Sequence, residues 1–83
     1  MMNANTAWIE SPQNPELIYA WAKVIAERGS SDGWQYMGSE RVGGVWEHFF
    51  RNKQLLEEAE DGDQRAAARM RVTASEGWQP ANY

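Results

Sequence analysis

His48 is the one side chain in this sequence that titrates near neutrality without help from its surroundings, so it is the first candidate for chemistry. It stands between Glu47 and Phe49, a setting that suits a structural or surface histidine better than a general base. Glu40 and Glu47 are carboxylates of the type that work as acid and base, but so small a fold offers little wall to enclose a substrate. Ser39 lies in Gly-Ser-Glu, which lacks the flanking pattern of a nucleophile elbow. Gly38, Gly43 and Gly44 are not followed by a lysine-serine pair, so no phosphate-cradling loop is present. A single histidine and no cysteine exclude a structural zinc site and any disulfide. The expectation is a protein that is not an enzyme and carries no metal or cofactor.

The densest charge lies further on. Five of the seven residues from Glu57 to Asp63 are acidic: Glu57, Glu58, Glu60, Asp61 and Asp63. The plain reading is a solvated helix end and turn. A calcium loop does not fit, because the glycine of Asp61-Gly62-Asp63 is misplaced and no acidic residue closes such a frame. The third reading is docking onto a basic surface. Carboxylates on a rigid scaffold can occupy arginine and lysine sites built for phosphate, since charge-assisted hydrogen bonds treat the two anions alike. Arg65, Arg69 and Arg71 follow at once and compete by neutralising the run from within.

A net charge of −4 argues against direct contact with nucleic acid or an anionic membrane, which needs a concentrated positive field. No apolar run approaches the length of a membrane span, and Met1-Met2-Asn3 opens no signal peptide. The absence of cysteine fits the cytoplasm, which is the expected location.

These groups must be positioned by one small domain, since 83 residues leave no room for two cores. Residues 1–13 read as an irregular N-terminal segment and 77–83 as an extended C-terminal tail. Between them, Asn14 suits an N-cap, Pro15 the first helical position and Glu16 the positive helix start. Leu17, Ile18, Trp21, Val24 and Ile25 then follow helical spacing, and Gly29 suits the stop, which predicts a helix over 15–28.

Trp34 to Val42 and Val45 to Arg51 flank Gly43-Gly44, the signature of a two-residue hairpin turn. The rival is a helix with Val42, Val45, Trp46, Phe49, Lys53 and Leu56 on one face. The glycines oppose it, each costing about 1 kcal/mol in a helix interior. Gln54 to Glu60 favours a helix, Arg65 to Arg69 suits a helical turn, and Arg69 to Ala74 alternates as a third strand. The predicted fold is α+β, an N-terminal helix packed on a small three-stranded antiparallel sheet, with a compact three- or four-helix bundle as the alternative.

In that hairpin, Val42 opposes Val45, Arg41 opposes Trp46, Glu40 opposes Glu47, Gly38 opposes Phe49 and Met37 opposes Phe50. Strict alternation then puts Trp34, Tyr36, Val45 and Phe49 on one face and Met37, Trp46 and Phe50 on the other, with Arg41 and His48. One helix covers one face. Leu55 and Leu56 cover the second, or a partner does. The expected contact residues are Met37, Trp46 and Phe50 as apolar anchors, with Glu57, Glu58, Glu60, Asp61 and Asp63 as electrostatic guides.

The expected function is a protein-binding regulator or inhibitor acting by occlusion, of the phosphate-mimicking kind that blocks a nucleic-acid-handling machine. Its partner is another protein with a basic surface. The alternative is a structural assembly subunit, a connector or homo-oligomeric component, with a homodimer among its forms. In overall character the chain is similar to small accessory proteins of phages and mobile elements, a resemblance of style with no diagnostic residues.

Overall fold

The computed structural model describes residues 15–80. The expectations for segment 1–13, for the Asn14 cap and for the end of the tail at 81–83 lie outside the described residues. Within them the order is α1 (Pro15–Arg28), β1 (Trp34–Val42), β2 (Val45–Asn52), α2 (Lys53–Glu58), α3 (Gly62–Ala67) and β3 (Arg69–Thr73). The three strands form one antiparallel sheet in the order β1-β2-β3. The hairpin is therefore real, and the domain is α+β rather than a bundle.

Helix α1 buries Leu17, Ala20 and Val24, a stripe at spacings of three and four that meets one face of the sheet. Its end is set by Gly29, which adopts φ +85° and donates its N–H to the Ile25 carbonyl at 2.7 Å. Arg28, in the last turn, donates to the carbonyls of Ala67 at 2.7 Å and Arg69 at 3.1 Å. Its guanidinium lies 5.0 Å from the Trp34 ring centre, so one side chain ties helix, β1 and β3 together. Ala20, Val24, Trp34, Phe50 and Val72 form the core, with Trp21, Tyr36 and Met70 packed around it.

The hairpin register agrees with expectation from the turn as far as Gly38 opposite Phe49 and then departs from it. Phe50 pairs with Tyr36, not Met37, because Met37 is the extra residue of a β-bulge. Gly38 takes φ +125°, a conformation side-chain-bearing residues rarely adopt, and this lets β1 absorb the insertion. The two expected faces are corrected accordingly. The bulge brings Trp34, Tyr36 and Ser39 to the same side as Trp46, His48 and Phe50, the side that α1 covers. It leaves Met37 on the outer side with Phe49 and Val45.

Asn52 closes the sheet against the helical excursion. Its side chain accepts from the Leu55 N–H at 3.0 Å, capping α2, and donates to the Asp32 carbonyl at 3.4 Å. Gly33, at φ +80°, leaves room for that side chain, since a Cβ there would come within 2.9 Å of the Asn52 amide nitrogen. Asp61 caps α3 through the Gln64 N–H at 2.8 Å. No helix among the described residues is long and apolar enough to cross a membrane.

Candidate functional site

Beneath α1 runs a chain of polar side chains that the sequence scatters over 59 positions. Tyr36 hydroxyl bonds Ser39 Oγ, and Ser39 Oγ lies 2.5 Å from His48 Nδ1. His48 Nε2 lies 2.7 Å from Glu16 Oε2, which also accepts the Ser75 N–H at 2.9 Å. The Ser75 hydroxyl donates to the other Glu16 oxygen. An ionised carboxylate only accepts, so His48 donates from Nε2 to Glu16, with Nδ1 turned to the Ser39 hydroxyl. The series runs unbroken from Tyr36 through Ser39 and His48 to Glu16.

Serine, histidine and carboxylate in hydrogen-bond sequence are the components of an activated nucleophile. Here they are sealed. His48 is 0% exposed and Ser39 and Glu16 are buried. Among the described residues, none of the three lines the groove on the outer sheet face or the one beside Trp46 and Trp78. Trp78 stands edge-on to the His48 ring at 4.9 Å and to Trp46 at 6.0 Å, closing the side nearest the C-terminal segment. The arrangement braces helix, hairpin and the segment at Ser75 against one another. Sequence reading singled out His48 but not its partners, because Glu16 and Ser75 are remote in the chain and Ser39 reaches His48 only by cross-strand pairing.

The Tyr36 phenol is pushed up from 10.0 to about 12. Burial is the main cause; the hydrogen bond with Ser39 opposes it, and the negative Glu16 carboxylate adds to it. The folded state thus holds this proton more tightly than the unfolded chain. Its contribution to stability is whole below pH 10 and is lost as pH climbs toward about 12. Alkaline titration followed by tyrosinate absorbance and by denaturant midpoint is expected to show one phenol ionising only as pH approaches 12, with stability falling over that interval. Stability flat across it contradicts the assignment.

The opposite face of the sheet is different in kind. Met37 is 43% exposed and Phe49 half-buried; with Leu56 of α2 they border an open groove of about 530 Å³, flanked by Arg51, Arg69 and Arg71. Arg51 Nε donates to Gln35 at 3.2 Å, and Thr73 donates to Glu47 at 3.1 Å. Arg71 reaches Glu47 at 4.0 Å. Among the described residues no helix lies across this face as α1 lies across the other.

The expected contact residues divide between these environments. Trp46 and Phe50, at 8% and 2% exposure, are packed on the α1 side, while Met37 stands outside. Leu56 borders the groove and Leu55 is exposed, so neither closes the outer face as a second core. Glu57, Glu58, Glu60, Asp61 and Asp63 are all exposed on α2, α3 and the turn between them. Asp61 is occupied as the α3 cap, and Glu58 accepts from Gln54 at 3.3 Å. Among the described residues, none of Arg65, Arg69 and Arg71 pairs with these five carboxylates.

Fold and surface together define a small α+β domain with one covered and one open sheet face. Compared with known proteins, the chain matches no family model, no curated protein and no solved structure.

Proposed function

We propose that this domain works by binding another protein, and that it regulates or inhibits that protein by occluding the surface it covers. The open sheet face carries this reading: a domain of this size leaves an apolar groove bordered by Met37, Phe49 and Leu56 uncovered among its described residues. Contiguous apolar surface of this kind marks an interaction site more often than it marks nothing. Binding rather than catalysis is supported by the burial of Ser39 and His48, the groups best suited to reaction.

The favoured target brings a basic surface of the type that holds nucleic-acid phosphate. Its charges would meet the exposed carboxylates of Glu57, Glu58, Glu60 and Asp63, which no internal arginine neutralises among the described residues. Relative to the expectation from sequence, the apolar part of the contact keeps Met37 and exchanges the packed Trp46 and Phe50 for Phe49 and Leu56.

Affinity capture from native lysate, compared across three baits, tests this reading. Relative to the wild-type chain, a variant with the five acids changed to Ser or Gln is expected to lose a salt-sensitive partner by about tenfold or more, and Met37→Glu to weaken the same partner. A partner retained by both variants, or none captured by the wild type, removes the reading.

A further inference from the structure

A strand at the rim of a sheet turns half of its backbone groups away from its neighbour, and β3 is such a strand. In an antiparallel pair, opposed residues that exchange hydrogen bonds alternate with opposed residues that do not. The Asn52 N–H donates to the Ala68 carbonyl at 2.8 Å, and the Ala74 N–H to the Trp46 carbonyl at 2.9 Å. Counting inward from these two ends, Met70 exchanges bonds with Phe50 and Val72 with His48. Arg69, Arg71 and Thr73 then direct their N–H and C=O groups outward. Arg28 agrees with this direction, since it reaches the Arg69 carbonyl at 3.1 Å. Among the described residues nothing takes the backbone N–H or C=O of Arg71 or Thr73.

This edge also has room beside it. A groove of about 430 Å³ runs between α1 and β3, lined by Tyr19, Lys23, Ala26 and Glu27 on one side and residues 70–73 on the other. The opposite edge, β1, is broken by the bulge at Met37 and the positive φ of Gly38, devices that blunt an edge. β3 carries no bulge, glycine or proline. Arg28 closes it at Arg69, and the part from Arg71 to Thr73 stays open.

We infer that β3 takes an extended segment of another protein as a fourth, antiparallel strand, and that this segment is acidic at alternate positions. The N–H and C=O groups of Arg71 and Thr73 supply its hydrogen bonds. Side chains of an added strand alternate between the two faces of the sheet. Those opposite Arg71 and Arg69 lie on the outer face, where both arginines are exposed. Arg69 has no ion pair among the described residues, and Arg71 reaches Glu47 only at 4.0 Å. Carboxylates at these two positions meet the guanidiniums as cross-strand pairs. Residues opposite Val72 and Met70 enter the groove, where Tyr19 and Ala26 offer apolar surface. From its N-terminal end the segment reads any residue, apolar, acidic, apolar, acidic. The inference does not rest on the open sheet face, because its hydrogen bonds come from the β3 edge.

Backbone amide exchange of the full chain, read residue by residue by NMR, tests this with the peptide acetyl-Thr-Val-Glu-Val-Glu-amide. In the free chain the N–H groups of Arg71 and Thr73 are expected to exchange about tenfold or more faster than those of Met70 and Val72. Saturating peptide is expected to slow both by a similar factor. The same peptide N-methylated at its first glutamate cannot donate to the Arg71 carbonyl and is expected to bind about tenfold or more weakly. A double variant, Arg69→Glu with Arg71→Glu, is checked for folding by circular dichroism. It is expected to lose the acidic peptide by about tenfold and to prefer acetyl-Thr-Val-Lys-Val-Lys-amide.

Exchange at Arg71 and Thr73 that is already slow in the dilute free chain, or that the peptide leaves unchanged, overturns the inference. So does equal binding of the N-methylated peptide, or a folded double variant with unchanged preference. Protection that grows with chain concentration in the absence of peptide assigns the edge to a second copy and overturns it too. None of these results bears on the partner captured through Met37 and the carboxylates of α2 and α3.

Discussion

Glu16→Ala is expected to cost about 3–5 kcal/mol, measured as the shift in chemical denaturation. The reason is the number of groups that converge on one carboxylate. His48 Nε2 at 2.7 Å, the Ser75 N–H at 2.9 Å and the Ser75 hydroxyl all use Glu16 as acceptor, and both Glu16 and His48 are buried. Removing it strands these donors away from water, and each stranded donor costs about 1–3 kcal/mol.

A chain of 83 residues has a total stability of about 4–12 kcal/mol, so a loss of this size removes a large fraction of it. Glu16→Gln keeps one acceptor oxygen and is expected to lose roughly half as much. A loss below about 1 kcal/mol in the alanine variant would mean that the polar chain does not brace the fold.

Phe50→Ala is expected to cost a similar amount, about 3–5 kcal/mol, through lost burial and the cavity left behind. Phe50 is the centre of the aromatic core. Trp21 meets it edge-on at 4.8 Å and Tyr36 lies at 5.5 Å, with Val24 and Val72 completing the surroundings. Met37→Ala, one residue along β1 from Phe50's partner Tyr36 but on the outer side, is expected to change stability by less than about 0.5 kcal/mol. The pair separates core from contact surface in one series of melting curves. Equal losses at both positions would contradict the bulge that sends Met37 outward. Trp46, expected from sequence alone to anchor a partner with little role in stability, belongs by its burial with Phe50 in this comparison.

The bulge also accounts for the main difference between expectation and structure. Alternation is a rule about a regular strand, and a single inserted residue inverts it for everything beyond. Gly38 was the available signal, since an isolated glycine inside a strand often marks such an insertion. Its meaning depends on which residue opposes which, and strand pairing joins positions distant in the chain. The fold class itself was legible. Helix α1 declares its start with Pro15 and Glu16 and its stop with Gly29, and Gly43-Gly44 admits the positive φ that a tight hairpin needs.

What the amino-acid order determines by itself is local: where the backbone can turn, which stretches prefer a helix, which alternate, and that the acids of α2 and α3 stand in water. What only the tertiary structure decides is the company each side chain keeps. Glu16, Ser39, His48 and Ser75 become one hydrogen-bonded chain, and Met37, Phe49 and Leu56 come to border one open groove. The physical reason is that backbone preferences act over a few residues. Burial and charge pairing are set by groups that meet only after the sheet has closed its register and α1 has chosen a face.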